Sequence, residues 1–159
     1  MQGLMNKAPE EQQPQAQGGS GQEDYDMAVG QMLKWVASDE GYGATVQALQ
    51  SDPQEGMAML IGRLLQMSNQ SAYMAGKQLS PNVIFQAGME MAKAIASVGL
   101  KEGLLDKANE AQMAESAFLD GLAKFAQESQ AEALTDQSKQ QFMQLIDGVE
   151  KMMNQRGAA

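Results

Sequence analysis

Two pairs of carboxylates stand one helical turn apart, Asp106 with Glu110 and Glu128 with Glu132, and they are the side chains best suited to act as acid and base. Catalysis by such a pair needs neighbours that separate the two pKa values and a concave polar setting around them. No Gly-rich phosphate loop, strand-turn-helix motif or convergent polar set accompanies either pair, so both read as solvated helix faces. The chain has no Cys and no His. It therefore lacks a thiol nucleophile, an imidazole base, disulfides and the usual ligands for zinc or haem. Glu23, Asp24 and Asp26 lack the alternating oxygens, central Gly and closing Glu of a calcium loop, and suit the acidic first turn of a helix instead. We expect no enzyme, no cofactor and no metal.

The 14 methionines offer a second chemistry, since thioethers bind Cu(I). In Met57-x-Met59 and Met89-x-Met91 the sulfurs point about 200° apart on a helix, so neither pair converges on one ion by itself. Methionine also fills irregular gaps and suits surfaces that repack against partners. That use is the one expected here.

The elements that carry these residues are helices. Only 12 of 159 residues are β-branched, which leaves little to fill a pleated sheet. Residues 1–22 hold Pro9, Pro14, six Gln and the run Gly18-Gly19-Ser20-Gly21, and read as a flexible tail. From Asp24 onward apolar residues recur every three or four positions. Tyr25, Val29, Met32, Leu33 and Val36 define a helix over 24–38, and Tyr42, Val46 and Leu49 a short second one. Asp52-Pro53 and Ser80-Pro81 each pair an N-cap with a proline at the first helical position, and start a third helix running to about residue 78 and a fourth. Gly99 and Gly103 end or kink the fourth, a fifth pattern runs from Leu104 to about Ala133, and Thr135 or Asp136 caps a sixth that Gly157 stops. The expected fold is all-α, about six helices in a bundle or hairpin array over residues 23–156, with 157–159 as the C-terminal end.

Gly88-x-x-x-Ala92-x-x-x-Ala96, with Gly99 beside it, strips side-chain bulk from one face of the fourth helix and invites a neighbouring backbone to approach. Gly62, Gly121 and Gly148 also fall within or at the edge of helical patterns. At about 1 kcal/mol each relative to Ala, these glycines together need an offsetting gain, although Gly99 and Gly148 also read as kinks or caps. Phe142, Leu145, Val149 and Met152 form the apolar stripe of the last helix. With Leu, Ile, Val and Phe supplying only 28 residues, we expect Gly88, Ala92, Ala96, Gly99 and that stripe to meet other chains, whose contact completes a marginal core.

Twenty acidic groups against 11 basic ones exclude ordinary phosphate-neutralising contacts with nucleic acid. Met1 to Glu10 show no basic-then-apolar leader, and no stretch is expected to reach the roughly 20 apolar residues of a membrane span.

The Gln-, Ala- and Met-rich helical body behind a Gln/Pro/Gly tail, with the stretch Leu79-Ser80-Pro81-Asn82-Val83-Ile84-Phe85-Gln86-Ala87-Gly88-Met89-Glu90-Met91, resembles the small helical virion proteins of short-tailed bacteriophages, especially those packaged beside the portal and ejected with the genome. The resemblance implies a multicopy structural component, made in the host cytoplasm and carried in the virion. Its partners would be itself and other virion proteins. It would build helical rings or tubes that assist genome delivery, and would meet the host envelope only as part of an assembly. The other expectation is a soluble helical adaptor or chaperone that holds one partner through a Met-rich groove.

Overall fold

The structure, a computed structural model, describes residues 15–129 and 135–158, and these form six helices and no strand. They are α1 (Gln15–Ala37), α2 (Asp39–Ser51), α3 (Pro53–Met74), α4 (Pro81–Lys101), α5 (Glu110–Glu128) and α6 (Asp136–Ala158). The all-α expectation holds. Most of the expected tail, residues 1–14, lies outside the described residues.

Local chemistry explains the boundaries. Asp52 accepts from the Glu55 amide at 3.1 Å and Ser80 from the Val83 amide at 3.2 Å, each with a proline next in sequence. These caps satisfy amides that have no partner within the helix. Replacing either by Ala is expected to lower stability by about 1 kcal/mol in urea unfolding, whereas Ser51→Ala, an exposed neighbour without a cap role, shifts it by less than about 0.5 kcal/mol. At the other ends, Gly76 and Gly103 sit at φ 78° and 70° and close α3 and α4. The Lys77 and Gly76 amides donate to the Ala72 and Tyr73 carbonyls, and those of Leu104 and Gly103 to Gly99 and Leu100. Each is a Schellman motif, in which only Gly takes the left-handed position without strain.

Five boundaries differ from expectation, one of them the end of α5, which stops at Glu128 rather than about 133, where Ser129 turns to an extended conformation and its amide donates to the Phe125 carbonyl. Helix α1 starts at Gln15 rather than 24. A glycine run costs helix propensity but keeps its amides, and the residue that truly breaks a ladder, Pro14, lies just before the start. Helix α2 starts at Asp39, because Ser38 caps it by accepting from the Gly41 amide at 3.0 Å, so Asp39 and Gly41 open a helix instead of separating two. Helix α3 ends at Met74, short of 78, at the Gly76 motif. Helix α5 starts at Glu110 rather than 104, since the chain turns at Gly103 and folds Leu105 back against Gly99 before winding again.

Single residues, Ser38 and Asp52, join α1 to α2 and α2 to α3. Corners that tight bring backbones together. A Cβ on Gly41 would lie 1.8 Å from the Trp35 carbonyl oxygen, and one on Gly56 would lie 2.3 Å from that of Ala48. Helices α3 and α5 run in the same sense, with Gln54 meeting Asp120 and Gln66 meeting Glu128.

One contiguous core draws on all six helices, with Met32, Leu49, Ile61, Met91, Phe125 and Phe142 among its fully enclosed side chains. The single chain thus encloses a core of its own. Helix α4 is long and apolar enough, by length and composition, to cross a membrane, which the sequence reading did not anticipate; 56% of that stretch is buried among the other helices.

Candidate functional site

The carboxylate pairs do not make a site. Asp106 lies in the exposed turn between α4 and α5, where its carbonyl accepts from the Asn109 amide, while Glu110 is the first residue of α5, so no continuous helix presents them together. Glu128 ends α5 and accepts from Gln66 at 3.3 Å; Glu132 lies outside the described residues. Among the described residues no three carboxylates gather where they could hold a metal ion. The most perturbed groups among the described residues are half-buried and lie outside any cleft. The Tyr42 phenol donates to the Glu102 carboxylate, which holds its proton on and raises its pKa above the usual 10.0. Lys124, whose ammonium lies 3.0 Å from the Glu55 carboxylate, is also raised above its ordinary value, first by the hydrogen bond to Glu55 and then by its charge. These contacts tie α2 to the end of α4 and α3 to α5. The buried Asp24 ties α1 to the turn before α4, with the Lys77 ammonium at 3.5 Å but no directed hydrogen bond to the same oxygen.

The methionine pairs divide as helix geometry requires. Met57 and Met91 are 0% exposed, whereas Met59 and Met89 are 36% and 40% exposed. Each pair sends one sulfur into the core and one to the surface.

The expected interface residues also divide. Gly88 faces the Phe118 ring, where a Cβ would come within 2.9 Å, and Gly99 faces Leu105, where it would come within 2.7 Å. Ala92 and Ala96 are buried beside them. The small-residue face of α4 is therefore occupied by the chain's own α5 and the turn before it, and in this fold it is not exposed to another chain. Phe142 is fully buried, its ring edge-on to Phe125 with centroids 5.5 Å apart. Leu145 and Val149 are half-buried, and Met152 is 55% exposed. From the expected set, only the last-helix stripe beyond Phe142 reaches the surface.

A closer helix crossing escaped the sequence reading. Ala58-x-x-x-Gly62 on α3 meets Ala117-x-x-x-Gly121 on α5, where a Cβ on Gly62 would sit 3.3 Å from the Gly121 carbonyl and one on Gly121 would sit 2.8 Å from Ile61. Both motifs have the spacing noticed on α4. Nothing local says that they face each other.

The feature that remains is a cleft of about 460 Å³ between α4, α5 and α6. Phe85 and Phe118, edge-on at 4.9 Å, form its floor, Met89 stands on one wall, and Val149 and Met152 stand on the other. Lys93, Glu110 and Glu115 edge it. A second hollow of about 540 Å³ lies at the C-terminal ends of α3 and α5, where the exposed Met67 and Met74 stand beside Gln66, Gln70, Glu128 and Ser129, with no aromatic ring in its lining. The α4–α5–α6 cleft combines an aromatic floor, flexible thioethers and a charged edge, features that suit a binding surface. No protein-family model, curated protein or solved structure matches the chain.

Proposed function

We propose that this chain is a non-enzymatic structural protein of a tailed-bacteriophage virion, an internal or ejection component that forms homo-oligomeric helical rings or tubes to assist genome delivery. The observation that carries the proposal is the thioether-walled cleft beside α6, a surface able to repack against another helix and lacking convergent acids and bases. The sequence resemblance supplies the virion context. In this reading the chain folds in the host cytoplasm, joins its own copies and other virion proteins, and reaches the host envelope with the ejected genome. A net charge of −9 serves a conduit, since like charge keeps DNA from adhering to its wall. Membrane contact belongs to the assembly, because α4, the one candidate span among the described residues, is spent in the core.

Mass spectrometry of purified particles tests this directly. Many copies per particle are expected, and particles that lack the chain would overturn the proposal. The same cleft favours a second reading, an adaptor or chaperone that grips a single client helix. That reading predicts a discrete complex of one or two copies with one client, and no copies in the particle.

A further inference from the structure

We infer that the α4–α5–α6 cleft is the surface through which the chain binds a second copy of itself, the two clefts closing each other about a two-fold axis. The inference rests on the homomeric part of the function proposed above and names the surface of a two-fold dimer, the unit that further contacts would build into a ring or tube. Helix α6 touches only α5 and α4 among the described elements. Its stripe is sealed at Phe142 and Ile146, then opens, with Val149 half-buried and Met152 mostly exposed across from Met89. An apolar seam between three helices is thus closed at one end and unclosed at the other. Val149 and Met152 of a second copy are apolar side chains of the kind that would fill it.

Charge selects the occupant. Helices α1 and α2 carry Glu23, Asp26, Asp39 and Glu40 against Lys34, with Asp24 buried beside Lys77, so copies repel one another on that side. Helix α6 sets Asp136, Asp147 and Glu150 against Lys139, Lys151 and Arg156, and is neutral within a chain of net charge −9. Helix α4 sets Glu90 against Lys93 and Lys101, and is the one net-positive helix. The two walls of the cleft are thus neutral and basic, while α5 between them sets Glu110, Glu115, Asp120 and Glu128 against Lys124 and supplies the acids. The edge also bears both signs, Lys93 on α4 and Glu110 and Glu115 on α5. A two-fold arrangement, in which the same patch serves both partners, can set Lys93 of each copy against carboxylates of the other. Its present partner, Glu90 at 3.2 Å, is an exposed neighbour three residues away and easily exchanged. A DNA or anionic-lipid partner would call for a predominantly basic edge, and a strongly cationic peptide for a wholly acidic one.

The test is the mass of the full chain in solution, by sedimentation equilibrium, for the wild type, Met89→Asp, Met152→Asp and Met74→Asp. Met74 is 78% exposed but lies at the other hollow, so it serves as the control. The wild type is expected to dimerise. Met89→Asp and Met152→Asp are expected to raise the dissociation constant about tenfold or more with unchanged helical circular dichroism, while Met74→Asp leaves it alone. If either cleft variant loses helicity, Lys93→Glu provides the second arm: association weakens, and adding Glu110→Lys restores it. A wild-type dimer insensitive to the cleft variants, or equally sensitive to Met74→Asp, overturns this surface and leaves homomeric assembly standing. So does Lys93→Glu without rescue by Glu110→Lys. A wild type that stays monomeric up to about 0.1 mM overturns this inference and homomeric assembly by the free chain together, whatever the particle composition shows.

Discussion

Gly41→Ala is expected to destabilise the fold by about 3 kcal/mol or more, and Gly121→Ala by about 1–3 kcal/mol, whereas Gly148→Ala is expected to stabilise it by about 0.5–1 kcal/mol. All three changes add one methyl group inside a helix, where Ala is the better helix former. Surroundings decide the sign. At residue 41 the new carbon would lie 1.8 Å from the Trp35 carbonyl oxygen, a backbone atom that cannot rotate aside, so the corner between α1 and α2 has to open. At residue 121 it would lie 2.8 Å from Cβ and Cγ2 of Ile61 and 3.0 Å from the Ala58 carbonyl. Ile61 is fully buried and stiff at its branched carbon, so α3 and α5 must separate. At residue 148 nothing lies within 4 Å, and only the entropy gain remains. Urea unfolding followed by circular dichroism measures all three. A Gly41→Ala protein as stable as the wild type would show that the α1–α2 corner is not packed as described.

The second large effect concerns α6. Phe142→Ala removes the fully buried side chain that anchors this helix against Phe125, and is expected to cost about 3–5 kcal/mol. Since α6 meets only α5 and α4 among the described elements, the loss concentrates on its docking. Native-state hydrogen exchange should show α6 amides losing protection by roughly a hundredfold or more, the equivalent of about 3 kcal/mol, while α3 and α4 amides keep most of theirs. Uniform loss across all six helices would mean instead that α6 is an integral part of one cooperative unit. The outcome bears on assembly, because a helix held mainly by α5 and lightly by α4 is the element best able to shift when a second copy arrives.

Comparison of particular elements shows where a linear reading succeeds. The starts at Asp52-Pro53 and Ser80-Pro81 were legible because a cap acts over three residues of contiguous chain. The start of α5 was not, since the fold-back of Leu105 onto Gly99 depends on what α4 leaves open there. The small-residue face of α4 was correctly seen as a place of close approach, but its occupant turned out to be Phe118 from the same chain. Of the residues expected at an interface, Met152 alone is largely exposed. The sequence identified surfaces that must pack and could not tell inside from outside, because burial is a relation between elements distant along the chain.

The amino-acid order, by itself, determined an all-helical chain, the caps that start its third and fourth helices, an acidic surface and an inventory without thiol or imidazole chemistry. Those properties follow from composition and from interactions within one or two turns. Only the tertiary structure decided that Gly62 faces Gly121, that Gly41 is a corner while Gly148 is open, and that α4, α5 and α6 leave a methionine-walled cleft between them. Two stripes of the same spacing are indistinguishable until packing assigns each a partner, and that assignment comes from fitting whole helices together.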